Sequence, residues 1–258
     1  MNTFELSILL PAFVASLLVL STHVPLGAEV LRRGIIFIDL AVAQVAGLGV
    51  IAADTMGWEP SGRMVQAAAI SAALLAAFVL HWTDRRWPQV QEALIGVCFI
   101  LAATAGILLL AGNPHGGEHL KELLVGQILW VTYGELPLVA VVSAVILVIW
   151  YSIRHRMHGF AFYALFAFAV TASVQLVGVY LVFASLIIPA LATRRIEARF
   201  TRLCCGYAVG IIGSSAGLYL SSRWDLPAGA VIVWCLAVAA VLFGQLLQPR
   251  FVRGTEHS

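Results

Sequence analysis

Apolar residues fall in long stretches near 5–22, 34–53, 64–82, 90–112, 136–152, 159–192, 203–221 and 228–247, separated by short polar segments. A helix that crosses a bilayer needs about 20 consecutive apolar residues, and seven of these stretches have about that length. The 159–192 run does not fit. As one straight helix it would reach about 51 Å, against a hydrocarbon core of about 30 Å. It is expected to break near Gln175-Leu176-Val177-Gly178 into two spans, which makes nine, with eight as the other possible count.

Composition turns this pattern into a class. Of 258 residues 61% are hydrophobic and only 11% are charged, where soluble domains carry about 25% charged residues. A water-soluble fold of this size has too little interior to hide so much apolar surface. The expected fold is all-α: a polytopic integral membrane protein with a single membrane domain over 1–248 and a short cytoplasmic tail over 249–258. The segments between spans leave no room for a soluble domain, and the net charge of +2 gives no reason to expect a nucleic-acid partner. The N-terminus lacks a basic leader pattern and reads as a retained first span.

Charge sets the orientation. With the N-terminus outside, the inner segments hold Arg32, Arg33, Arg85, Arg86, Arg154, Arg156, Arg194, Arg195, Arg199, Arg202, Arg250 and Arg253. Arg63, Lys121 and Arg223 remain outside. This asymmetry follows the positive-inside rule and puts the C-terminus in the cytoplasm. The outer connection 113–135 is expected to contain turns and a short interfacial helix from Glu122 to Trp130. Trp58, Trp82, Trp87, Trp130, Trp150 and Trp224 lie near span ends, as an aromatic belt does. Small residues in the second and eighth spans, Gly206, Gly210, Gly213 and Gly217 among them, predict close helix approach. Cys98, Cys204, Cys205 and Cys235 read as apolar packing residues.

A carboxylate inside the bilayer is costly and therefore a candidate functional group. Asp39, about one and a half turns into the second span, and Glu92, at the start of the fourth, are the two. Each also has a structural reading: Asp39 paired with Arg32 or Arg33, Glu92 paired with Arg85 or Arg86. Gln44, some 140° round the helix from Asp39, and Gln175 are intramembrane amides. His115, Glu118 and His119 form either a weak outer metal site or a solvated loop. No phosphate-binding loop is present, so any ATP hydrolysis belongs to another subunit. The sequence shows no arginine ladder and no potassium-type filter.

Three motifs then bring a family into view. Pro25-Leu26-Gly27 leads to Arg32-Arg33 and Phe37-Ile38-Asp39. Leu176-Val177-Gly178-Val179-Tyr180-Leu181-Val182 runs into Ser185-Leu186-Ile187-Ile188-Pro189-Ala190 and Thr193-Arg194-Arg195. Asp225-Leu226-Pro227-Ala228-Gly229 follows. In this order they resemble the membrane permease subunit of ABC transporters that import zinc, manganese or iron(II). The resemblance implies a homodimer in the inner membrane of a prokaryote, a separate cytoplasmic ATP-binding subunit, and an extracytoplasmic metal-binding protein. The cargo is a divalent ion (Zn2+, Mn2+ or Fe2+), and no cofactor stays bound. It further implies an ion pathway touching Asp39, Gln44 and Glu92, although Ala43 stands where the family has a histidine. The inner segment 153–159 is shorter than the family's, so coupling to the ATPase is expected at Arg154, Arg156, Arg194 and Arg195. The competing readings are a gradient-driven secondary transporter without an ATPase, which favours broken helices, and a non-transporting scaffold.

Overall fold

The computed structural model describes residues 3–58, 62–111, 113, 116–153 and 159–246. They form helices α1 (Thr3–Arg33), α2 (Ile38–Thr55), α3 (Arg63–Arg86), α4 (Gln91–Leu110), α5 (Gly116–Val125), α6 (Leu136–Ile153), α7 (Phe160–Ala192), α8 (Arg199–Trp224) and α9 (Ala228–Leu246), with no strand among the described residues. Seven helices in the described residues are long and apolar enough to cross a membrane, and Leu136–Ser152 is a shorter apolar one. In a bilayer each backbone N–H and C=O needs an internal partner, and helices supply one.

α7 is two helices. Gly178, at φ 79° and ψ 163°, interrupts it in a region of backbone space open essentially to glycine alone. The contacts on either side show the chain reversing there. Gly159 and Phe160 lie beside His81 near the C-terminal end of α3. Gln175 bonds Gln66 near the N-terminal end of α3. Past the break, Phe183 stacks on Phe37 and Ser185 meets His23, back toward the first end. The expected break is thus at the last residue of the predicted tetrapeptide, and it divides one of the seven long apolar helices of the described residues in two.

Both halves of α7 sit at its centre, touching α1, α2, α3, α5, α6, α8 and α9. Phe162, Tyr163, Phe166 and Leu186 are fully buried there. Lipid offers little hydrophobic drive between helices, so close packing of small residues substitutes for it. The glycines of α8 do this as expected: a β-carbon at Gly210 would lie 2.7 Å from Leu20, and one at Gly213 2.6 Å from Leu236. α8 is held between α1 and α9, and the Tyr207 hydroxyl donates to the Ser21 carbonyl at 2.9 Å.

Several boundaries differ from the pattern-based ones. α1 runs on to Arg33, through Pro25, where the apolar run stops near residue 22. α2 begins only at Ile38 because Gly34 takes a positive φ of 72° and turns the chain. Asp39 therefore lies in the first turn of α2 rather than one and a half turns in. In the 113–135 connection the helix covers Gly116–Val125 and stops at Gly126, whose φ is 73°; a 3-10 turn, Ile128–Trp130, follows. Trp150 is buried against Phe162 rather than set in a belt. All four cysteines are free and Cys204 is exposed. The tail 249–258 lies outside the described residues.

Candidate ion pathway

The site is assembled from the start of α2, the start of α4, the second half of α7, and α9. The turn after α1 exposes the N–H of Ile36, which donates to the Glu92 carboxylate across at α4. The second Glu92 oxygen has no hydrogen-bond partner, and neither has either oxygen of Asp39, a residue only 1% exposed. Glu92 lies close enough to act electrostatically on Asp39. Both acids occupy the first turns of their helices, where the positive end of the helix dipole favours an anion.

The arginine pairings weighed for these acids are not the ones observed. Arg32 and Arg33 both hydrogen-bond Glu29, Arg33 at 2.7 Å, and the Arg33 guanidinium lies 3.9 Å over the Phe162 ring. Glu92 is held by a backbone N–H instead of by Arg85 or Arg86. Asp39 is buried and Glu92 half-buried, each at the start of its helix.

Gln44 is placed apart from them. Five positions on from Asp39, it shares a helix face with Leu40 and lines a cavity of about 570 Å³. The walls are Leu40, Phe99, Phe183 and Trp234, with Tyr180 two residues beyond the α7 break. Gln44 is 6% exposed and its Oε1 has no partner. Asp39 and Glu92 are not among the residues lining this cavity. Leu108, Val241 and Trp234 are large, apolar and exposed on α4 and α9.

Sequence reasoning missed Tyr180 and Trp234 as cavity-lining residues; the available signal was their nearness to Gly178 and to the start of α9 at Ala228. It also missed two cavities near the α3 N-terminus, mostly apolar but bordered by charged and amide side chains. One, about 330 Å³, is lined by Asp54, Glu122 and Gln127; the other, about 550 Å³, by Arg63, Glu135 and Thr171. Gln66 and Gln175 border both, and the Gln66 amide donates to Gln175 at 2.5 Å. Of the expected coupling arginines, Arg194 and Arg195 follow the end of α7 and are exposed, flanking a groove of about 530 Å³ against α9. Arg154 and Arg156 lie outside the described residues, as does His115. Among the described residues no three His, Cys, Asp or Glu side chains are grouped to hold a metal.

Seven long apolar helices and a shorter apolar one among the described residues define a multi-pass membrane protein. The model of the ABC 3 transport family matches residues 5–162 and 151–246, and the chain belongs to that family. It is a multi-pass inner-membrane protein of the permease kind. It is 25% identical to the manganese transport system membrane protein MntC of Halalkalibacterium halodurans, over 92% of this chain and 85% of that one. With the high-affinity zinc uptake system membrane protein ZnuB of Haemophilus influenzae it shares 23% identity, over 91% and 96%. Among solved structures, PsaBC from Streptococcus pneumoniae in complex with Fab superposes with a TM-score of 0.74 at 20% identity, covering 92% of this chain and 90% of that one.

Proposed function

We propose that the chain is the membrane subunit of an ATP-driven importer of a transition metal (zinc, manganese or iron), working as a homodimer with a cytoplasmic ATP-binding subunit and an extracytoplasmic metal-binding protein. The observation that carries this reading is the family match over residues 5–162 and 151–246, in a bundle where Gln44 is a buried amide with an unpartnered oxygen. Around it stand metal-transport relatives matched along nearly the whole chain. The exposed apolar faces of α4 and α9 beside the cavity suit a second copy, which completes the route. The arginine-rich end of the bundle faces the cytoplasm, and Arg194 and Arg195, with Arg154 and Arg156, meet the ATPase. Asp39 and Glu92 give the inner end of the route a negative potential that draws cations toward the exit.

The gradient-driven alternative loses its main support. Broken helices serve transporters by presenting open ends to cargo, but the break at Gly178 is filled by backbone. A β-carbon on Gly178 would overlap Val125 and Gly126, and one on Gly126 would overlap Val177.

The test is uptake of radiolabelled manganese and zinc by cells carrying the chain and its genomic neighbours, scored against protein inserted in the membrane. Gln44→Leu and Asp39→Asn are each expected to lower uptake about tenfold or more, the scale of losing one charged or buried polar contact. Unchanged uptake in both, at normal insertion, rejects the assignment.

A further inference from the structure

α3 and α6 both pack on α7, and a cleft of about 550 Å³ lies between them with α1 behind it. None of its lining residues belongs to α4 or α9, the helices whose exposed faces suit a second copy. The cleft is charged at its lip and apolar below. Arg63 opens α3 and Glu135 immediately precedes α6, both exposed at the same end of the bundle. They line one opening without forming an ion pair with each other. The Arg63 guanidinium has no hydrogen-bond or ion-pair partner among the described residues. The Thr132 N–H and hydroxyl both donate to Oε2 of Glu135, which fixes the carboxylate at the lip and leaves Oε1 open.

Below the Gln66–Gln175 bond, the walls are Ile70 of α3, Val142 and Ile146 of α6, and Phe168 of α7. The hydroxyls of Thr22, Thr171 and Ser173 on the same wall donate to carbonyls of their own helices, so they bring no free donor into the cleft. Leu138 lines it and is 70% exposed, which opens the cleft sideways to the hydrocarbon of a bilayer. From Glu135 to Ile146 it descends about 16 Å along α6. That is close to half of a hydrocarbon core of about 30 Å, the depth of one leaflet. Water has few partners on such a wall, whereas an acyl chain needs none.

The lip selects the headgroup. A phosphate suits the unpaired Arg63, but a headgroup that is only anionic sets a like charge beside Glu135. An ammonium beside the phosphate answers Glu135, and a primary ammonium also has N–H donors for its open Oε1, which a quaternary one lacks. We propose that the cleft is a binding site for one molecule of phosphatidylethanolamine, with an acyl chain between α3 and α6, its phosphate at Arg63 and its ammonium at Glu135. The site requires the chain to lie in a bilayer and is independent of what the chain transports.

The experiment is native mass spectrometry of the full-length chain in mild detergent, titrated with phosphatidylethanolamine, phosphatidylcholine and phosphatidylglycerol of identical acyl chains. Phosphatidylethanolamine is expected to be retained at one molecule per chain, about fivefold more tightly than either of the others, the scale of one charge contact near the membrane surface. Glu135→Gln is expected to abolish the preference over phosphatidylcholine, and Arg63→Gln to lower retention of both about fivefold. Both positions are exposed, so the unfolding midpoint of each variant in lipid-free detergent is expected to stay at that of the original chain. Lys121→Gln, at an exposed position outside the cleft, is expected to leave all three lipids unchanged. A phosphatidylethanolamine with a diazirine midway along its acyl chain is expected to label peptides of α6 and the first half of α7, in competition with unlabelled phosphatidylethanolamine. Equal retention of the three lipids, preference for phosphatidylglycerol, a preference that survives Glu135→Gln, or labelling confined to other helices overturns the proposal.

Discussion

Gly178 divides the long α7 run into two helices. Its φ of 79° and ψ of 163° exclude side chains, and its neighbours on the facing segment are backbone atoms that have nowhere to move. A residue with a β-carbon forced to positive φ costs about 1–2 kcal/mol before any overlap. Gly178→Ala is therefore expected to destabilise the protein by at least about 2 kcal/mol, measured as a lowered midpoint of thermal unfolding in detergent. Gly244→Ala is the counterpart. A β-carbon there meets nothing within 4 Å, and alanine gains up to about 1 kcal/mol over glycine in a helix, so its midpoint is expected to hold or rise. The need for a break was legible in the length of the 159–192 run, and its position nearly so. The filling of that break by Val125 and Gly126 was not, because it joins segments some fifty residues apart whose meeting no local pattern records. Asp39, Gln44 and Glu92 were legible as polar residues in apolar runs. That Asp39 falls in the first turn of α2 depends on where the helix starts, which the turn at Gly34 decides.

Among the elements, α1 meets the second half of α7 through a buried polar contact. His23 Nδ1 lies 2.7 Å from Ser185 Oγ, and the histidine is wholly buried. Ser185 also bonds the Val182 carbonyl at 3.0 Å within its own helix, so its hydroxyl joins the two helices. Ser185→Ala leaves the imidazole without this partner and is expected to cost about 1–3 kcal/mol. Replacing both residues, as His23→Leu with Ser185→Ala, is expected to cost less than the sum of the two single changes, the mark of a direct pairing. A thermal-unfolding double-mutant cycle in detergent reads this out; strict additivity contradicts it. In the sequence the apolar run thins out near residue 22, just before His23. The helix continues through Pro25, and the histidine is thereby carried into the interior.

For the whole molecule, the account makes this chain a half-route that needs a second copy and an external motor. The number of crossings and the class of protein followed from hydrophobic lengths and charge balance, since the bilayer leaves a chain so few ways to satisfy its backbone. The manner of coupling did not, because Arg154 and Arg156 lie outside the described residues. The measurement that bears most directly on the central claim is purification of the tagged chain from its native membranes in mild detergent, followed by deletion of any P-loop ATPase that accompanies it and assay of metal uptake. The account predicts recovery of such an ATPase in about equal amount and uptake that falls to background when its gene is removed. Recovery of the chain without an ATPase, together with metal uptake that persists when every candidate partner is deleted, would contradict it.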